Sequence, residues 1–252
     1  MSARVILGDA LEVLRALPPA SVDAVVTDPP YGETSLKWDV RLAGWPAEVM
    51  RVLKPSGSLW VFGSLRSHIE TAHEFAGWRM AQDVIWEKHN GSGFDNDRFK
   101  RVHEIAVHWY PAARPWAEIY KEPQKVAGEK RPSAKIVARA APIAHRGKIG
   151  DGSGYEYTDQ RLARSVIYAR SMHGKAEHET QKPEAILEPL IAYSCRPGGV
   201  VLDPFCGSGS TGVAAQRLGR SSILIDNRTE CVALATRRVR DDTPLFAEVP
   251  AT

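Results

Sequence analysis

The chain is 252 residues long, 43% hydrophobic and 25% charged, with a formal net charge of +3. That length buries a sizeable core as one α/β domain with room for one insertion, and the composition is ordinary for a globular protein. No run of about 18 apolar residues occurs, which excludes a membrane-spanning helix, and three scattered cysteines (Cys195, Cys206 and Cys231) show neither a disulfide framework nor CxxC metal spacing.

The chain enters a strand-like run at once, Arg4 to Leu7, without a signal-peptide pattern, so a cytoplasmic protein is expected. Ala10 to Leu17 has helical spacing through Leu11, Leu14 and Leu17. Val22 to Thr27 is a short β-branched run that predicts a buried strand, and it ends at Asp28-Pro29-Pro30-Tyr31. Trp45 to Leu53 predicts an amphipathic helix stopped by Lys54-Pro55-Ser56-Gly57. Ser58 to Gly63 predicts another buried strand, Ser67 to Phe75 a helix and Ala81 to Trp86 a further strand. Strand and helix in alternation argue for an α/β fold with a doubly wound, mainly parallel sheet.

The tetrad after the second strand has a chemistry of its own. Two consecutive prolines fix the backbone and remove two N–H donors. What remains is a carboxylate, free backbone carbonyls and one aromatic ring, a pocket suited to a flat substrate that donates hydrogen bonds through an NH2 group. The same residues also read as a turn with a tyrosine that caps the core. The tetrad alone does not decide between the two.

From about Glu87 to Ala169 the regular alternation is lost, and only Val102 to Trp109 predicts a strand. Residues 88–170 hold 16 Lys or Arg against 9 Asp or Glu, whereas the remainder of the chain is net acidic. Lys130, Arg131, Lys135, Arg139, Arg146 and Lys148 follow one another with no acidic residue among them. A solvated linker shares this composition. The interleaved Trp109, Tyr110, Trp116 and Tyr120 favour a nucleic-acid-binding surface. Gly150 to Gly154 follows no hydrophobic strand and reads as a loop. His173 and His178 fall into no recognisable ligand spacing, and no metal is expected.

Order returns with Lys182 to Ile191, a helix with proline in its first turn. A turn at Arg196 to Gly199 leads into the strand Val200 to Leu202. Asp203-Pro204-Phe205-Cys206-Gly207-Ser208-Gly209 follows, then a helix from Gly212 to Leu218, a strand from Ser222 to Ile225 ending in Asp226, and a last helix from Glu230 to Arg240. Gly207 and Gly209 let the backbone turn sharply and approach a ligand closely. Asp226, at the end of the next strand, offers a carboxylate to ribose hydroxyls. This is the layout of a nucleoside-containing cofactor site. A dinucleotide stays open on these grounds, but Asp203 ahead of the glycines would repel a pyrophosphate and suits the cationic methionine end of S-adenosylmethionine.

Asp28-Pro29-Pro30-Tyr31 together with Asp203 to Gly209 resembles the motifs of the amino-methylating DNA methyltransferases. Gly8-Asp9-Ala10 through Asp23 resembles the segment before that family's catalytic strand, and Thr180-Gln181-Lys182-Pro183 its motif before the cofactor strand. Tetrad first, variable region second and glycine motif last is the order of the beta group. The likeness covers about residues 4–90 and 176–240. It implies the Rossmann-like fold of S-adenosylmethionine-dependent methyltransferases. The chain would then divide into a catalytic half (1–88), an inserted target-recognition region (89–170) and a cofactor-binding half (171–252).

The resemblance also implies roles. Asp28, Pro29, Pro30 and Tyr31 would hold the target base, the Asp28 carboxylate and Pro29 carbonyl accepting from its amine while Tyr31 stacks on its face. Asp203, Phe205, Cys206, Gly207, Ser208 and Gly209, helped by Gln181 and Lys182, would hold the methionine end of S-adenosylmethionine. Asp226 would bind its ribose, and Asp9 with Ala10 its adenine. Cys206 is not expected to be a nucleophile, because the Pro-Cys pair that attacks cytosine's ring is absent. The base must leave the duplex to reach such a pocket. The six basic residues from Lys130 to Lys148 would contact phosphates of double-stranded DNA. Aspartate at the first tetrad position resembles the enzymes for adenine N6, which is the expected target. Cytosine N4 is the alternative, and a catalytically silent DNA-binding protein or an RNA methyltransferase come after it. A homodimer and a cognate restriction endonuclease in another chain are further expectations of the resemblance.

Overall fold

The computed structural model describes residues 2–92, 97–127, 160–172 and 181–242. The six basic residues expected to meet DNA, the loop from Gly150 to Gly154, His173, His178 and Thr180 lie outside them. The fold is built around one eight-stranded sheet. Its strands, in spatial order, are β1 (Ala3–Leu7), β10 (Ser221–Asp226), β9 (Val200–Asp203), β2 (Val22–Thr27), β3 (Leu53–Gly63), β5 (Arg101–Pro111), β4 (Trp78–Ser92) and β8 (Val166–Tyr168). Every pairing is parallel except those that β5 makes with β3 and β4, so β5 alone runs against the rest.

β2 is buried along its whole length, as a strand covered on both faces must be. Its residues feed two cores, the side of Val22 being changed by the register shift between Val22 and Ala24. Ala24 and Val26 join Trp60 and Phe62 of β3 with Ile186, Leu187, Leu190 and Ile191 of α4 (Glu184–Ser194) and Ala214 and Ala215 of α5 (Ser210–Arg217). Val22 and Val25 join Leu59 and Val61 of β3 with Leu14 of α1 (Ala10–Ala16) and Trp45, Val49 and Val52 of α2 (Trp45–Val52). The last helix, α6 (Thr229–Asp241), closes a smaller cluster in which Ala235 and Val239 meet Val213 and Leu224. Helices on both faces of a mainly parallel sheet make the doubly wound, Rossmann-like arrangement expected from the alternation. Among the described residues no helix is long and apolar enough to cross a membrane.

Some local expectations differ from the structure. The helix does end ahead of Lys54 to Gly57, as expected, but those residues lie within β3, where the register shifts between the pairs Val22–Leu53 and Ala24–Ser58. The turn residues thus form a bulge, and a Cβ on Gly57 would stand 2.6 Å from the Asp23 carbonyl oxygen. The helix expected from Ser67 starts earlier as α3 (Leu65–Thr71), because the Ser64 hydroxyl accepts from the Ser67 N–H at 2.9 Å, and it tightens into a 3-10 turn over Ala72–Phe75. β4 and β5 both outrun their predicted spans and pair with each other. Their outer residues, such as Arg79, Gln82 and Glu87, are polar and exposed, which blurs the period-2 pattern.

A second compact unit covers Pro123–Ala163. Its described part is the antiparallel pair β6 (Lys125–Ala127) and β7 (Gln160–Leu162).

Asp23 ties the centre of the large sheet together. Its Oδ2 accepts from the Val200 N–H of β9 at 2.9 Å and from Lys54 Nζ of β3 at 2.8 Å. Asp23→Ala leaves the half-buried Val200 N–H without its acceptor and should lower unfolding free energy by about 1–2 kcal/mol. Urea denaturation checks this, and an unchanged midpoint would contradict the role given to Asp23.

Candidate active site

β9 and β2 are neighbours whose following connections lead in opposite directions, α5 toward β10 and α2 toward β3. In open α/β sheets this switch point opens a crevice at the carboxyl ends of the strands. Asp203 ends β9, and Thr27-Asp28 ends β2. The Thr27 hydroxyl bridges the two by donating to Asp203 Oδ1 at 2.7 Å. A cavity of about 350 Å³ opens here, within the range of small-molecule sites. Asp9, Ala10, Asp28, Pro30, Lys182, Asp203, Phe205, Cys206, Gly207, Ser208 and Asp226 all line it. Residues as far apart as 9 and 226 are thus brought into one wall. Gln181 is buried beside Lys182 but, like Gly209, stands back from the wall.

The glycine loop is shaped by two positive-φ residues, Gly207 (+47°) and Gly209 (+76°). A Cβ on Gly209 would stand 2.7 Å from Ala235 Cβ, so only glycine lets α6 approach the start of α5. Gly212 completes a G-x-G-x-x-G spacing, and its reason is packing: a Cβ there would meet Leu224 Cδ1 at 2.5 Å. The loop is held by Asp226, whose Oδ2 accepts from the Gly207 N–H at 3.0 Å and whose Oδ1 accepts from the Arg228 N–H at 2.9 Å. Arg238 supports its far side by donating to the Ser208 carbonyl at 2.8 Å. Asp9 caps α1, with Oδ1 accepting from the Leu11 and Glu12 N–H groups at 2.9 and 3.1 Å.

Two carboxylates sit close to the switch point in different company. Asp203 is 3% exposed; its oxygens accept from the hydroxyls of Thr27 and Thr211 and from the Phe205 N–H. Burial outweighs those hydrogen bonds and raises it to about 6. Asp28 has a cation. Lys182 Nζ pairs with its Oδ2, and the Tyr31 hydroxyl donates to its Oδ1. Lys182 also lies 3.1 Å from Oε2 of Glu104 on β5, whose Oε1 pairs with Lys88 of β4. Burial pushes Asp28 above the ordinary carboxylate range, Lys182 pulls it back and Glu104 adds to the rise. Glu104, buried but gripped by two ammonium groups, is held at about 2. Tyr31, buried against Asp28, stays protonated well past its ordinary value.

The loop after the tetrad is ordered by a residue that carries no motif signal. Asp39 accepts from the N–H groups of Gly32, Glu33 and Thr34 and from the Thr34 hydroxyl, at 2.7–3.0 Å. Desolvation raises its carboxyl, and these four bonds together outweigh it. The loop places Trp38 under the Arg228 guanidinium, 4.8 Å from the ring centre, and Arg228 Nε lies 3.6 Å from Asp226. Sequence reasoning missed Thr27, Thr211, Asp39, Trp38, Glu104 and Arg228. Lys182, expected to help hold the cofactor, lines the same cavity as the glycine loop, and its ammonium also reaches the tetrad. Among the described residues no three His, Cys, Asp or Glu side chains cluster as a metal would require.

Residues 22–237 match the model of the N6/N4 DNA methylase family, and the chain belongs to that family. Among its relatives is the type II methyltransferase M.HinfI of Haemophilus influenzae, 28% identical over 95% of this chain and 69% of that protein. Two solved structures share the fold. M1.HpyAVI in complex with SAM superposes with a TM-score of 0.64 at 24% identity, over 94% of this chain and 99% of that one. The cytosine-N4-specific PvuII DNA methyltransferase gives 0.64 at 18% identity, over 100% and 89%.

Asp203 makes stability depend on pH in a definite direction. Its folded pKa of about 6 lies above the ordinary 3.8, so the folded protein holds this proton more tightly, and the carboxyl's contribution falls as pH rises between those values. Asp203→Asn removes that fall. The stability of the variant relative to wild type should therefore increase by roughly 3 kcal/mol between about pH 4 and 7. Urea unfolding of both proteins across this range measures it, and a pH-independent difference would contradict the assignment.

Proposed function

We propose that this DNA methylase transfers a methyl group from S-adenosylmethionine to the N6 amine of an adenine flipped out of double-stranded DNA. The observation that carries the reading is the shared cavity at the switch point, where the tetrad carboxylate of Asp28 and the glycine loop after Asp203 meet in one wall. The donor set fits the cofactor. Asp203, Phe205, Cys206, Gly207 and Ser208 line the same cavity as Asp28, and in this reading their carboxylate and carbonyl oxygens suit a cationic amino acid moiety. Asp226 would take the ribose hydroxyls and Asp9 with Ala10 the adenine in this reading, and all three line that cavity. When bound, S-adenosylmethionine supplies an electrophilic methyl group on a sulfonium centre.

The chain's own residues do the rest by positioning. Asp28 and the Pro29 carbonyl accept from the base's NH2, which leaves the nitrogen lone pair directed at the incoming carbon. The Tyr31 hydroxyl now occupies Asp28 Oδ1, and the amine would take its place, freeing the ring to stack on the base. The proton lost from nitrogen after transfer leaves toward the carboxylate. Lys130, Arg131, Lys135, Arg139, Arg146 and Lys148, in the inserted region, contact DNA phosphates in this reading. Of the proposed divisions 1–88, 89–170 and 171–252, the middle one shares β5 and β8 with the large sheet. Target recognition is therefore assigned chiefly to Pro123–Ala163. A homodimer, a separate cognate endonuclease and a cytoplasmic location, where the DNA lies, belong to the same reading.

Adenine is favoured because aspartate opens the tetrad. Cytosine N4 is the second reading, favoured by the likeness to the cytosine-N4-specific PvuII enzyme. Duplex DNA incubated with the protein and S-adenosylmethionine, digested to nucleosides and weighed, should yield N6-methyladenosine as its deoxynucleoside. Methylated cytosine alone would overturn the adenine assignment.

A further inference from the structure

β5 is the strand that runs against its neighbours, and Glu104 is its one acidic residue. The Glu104 side chain is 14% exposed and faces two ammonium groups, Lys88 at Oε1 and Lys182 at Oε2. Lys182, 9% exposed, continues to Asp28. Charges therefore alternate along a largely buried row: Lys88, Glu104, Lys182, Asp28. Glu104 pairs with Trp86 in the β4–β5 ladder through its backbone, so the ladder does not need its side chain. Buried ion rows are weak contributors to stability compared with apolar residues of the same volume, so this row calls for another use.

An ammonium paired with Asp28 alone would hold its oxygens closely and weaken them as acceptors. Glu104 divides that ammonium between two carboxylates and adds a negative charge of its own. We propose that Glu104 is a positioning residue that keeps the Asp28 carboxylate a strong acceptor for the substrate amine, acting through Lys182. This rests on the reading of Asp28 given above. The groups that face Asp28 are Lys182, the Tyr31 hydroxyl, Glu104 and, across the strand junction, Asp203; Lys88 acts on Glu104, and Arg101 on Tyr31. Removing the Glu104 charge lowers the proton affinity of Asp28, and removing Lys88 raises it by leaving Glu104 less neutralised.

The test is the single-turnover rate of methyl transfer to duplex DNA as a function of pH, with cofactor saturating at each pH so that its binding does not limit the rate. Glu104→Gln should lower the plateau by about ten- to a hundredfold and move the acid limb down by roughly one unit. Glu104→Asp should restore both in part. Lys88→Met, at the outer end of the row, should move the acid limb the other way. Opposite displacements in the two charge-removing variants are not what a structural prop produces. Lower plateaus with the limb where wild type has it would overturn the inference while leaving the reading of Asp28 intact. Absence of methyl transfer by the wild-type chain to any base amine would overturn both.

Discussion

Two carboxylates lie close together at the ends of β2 and β9, Asp203 buried and Asp28 largely so, and the rest of the site follows from how each is tolerated. An ionised carboxylate out of water needs either a cation or a dense set of donors, and its neighbour makes the need worse. Asp28 obtains a cation: Lys182, shared with Glu104. Asp203 obtains donors: two threonine hydroxyls and a backbone N–H. Thr27 stands between them, adjacent to Asp28 in sequence and bonded to Asp203 in space. The two solutions leave the carboxylates with different chemistry. In the proposed reaction that difference separates the acceptor half of the cavity from the donor half.

The surroundings enforce the arrangement. β2 must be apolar on both faces to lie at the centre of the sheet, which fixes Asp28 at its exit. Gly209 must lack a Cβ for α6 to pack beside α5, which fixes the loop after Asp203. Asp226 and Asp39 then organise the loops on either side, and Arg228 links them through Trp38. Neither loop is an ornament on the fold. Each is held by backbone N–H groups donating to a single aspartate.

What could be read in the sequence, and what could not, has a physical explanation. The ends of β2 and β9 were legible because proline and glycine punctuate them, and punctuation is a local property. The α1, α2, α5 and α6 helices were legible from spacing. Glu104 was not, because one acid in the middle of Arg101–Pro111 reads as ordinary alternation; its partners are 16 positions upstream at Lys88 and far downstream at Lys182. Lys182 itself was assigned to the cofactor end on the strength of its motif, and only the position of β5 reveals what it touches. Asp39 looks like any turn aspartate until its four donors are seen. Lys54–Gly57 reads correctly as the stop of α2, but not as a bulge of β3, since a turn and a bulge draw on the same residues.

The central claim is that Asp28 holds the acceptor amine while a separate set of residues around Asp203 holds the methyl donor. Asp28→Ala separates the two most directly, because Glu104 remains to pair Lys182. Cofactor affinity by titration calorimetry and methyl transfer to duplex DNA would be measured on the same preparation. The account predicts an unchanged dissociation constant for S-adenosylmethionine and a loss of transfer of at least about a hundredfold. Transfer at the wild-type rate, or loss of cofactor binding in step with loss of transfer, would contradict it.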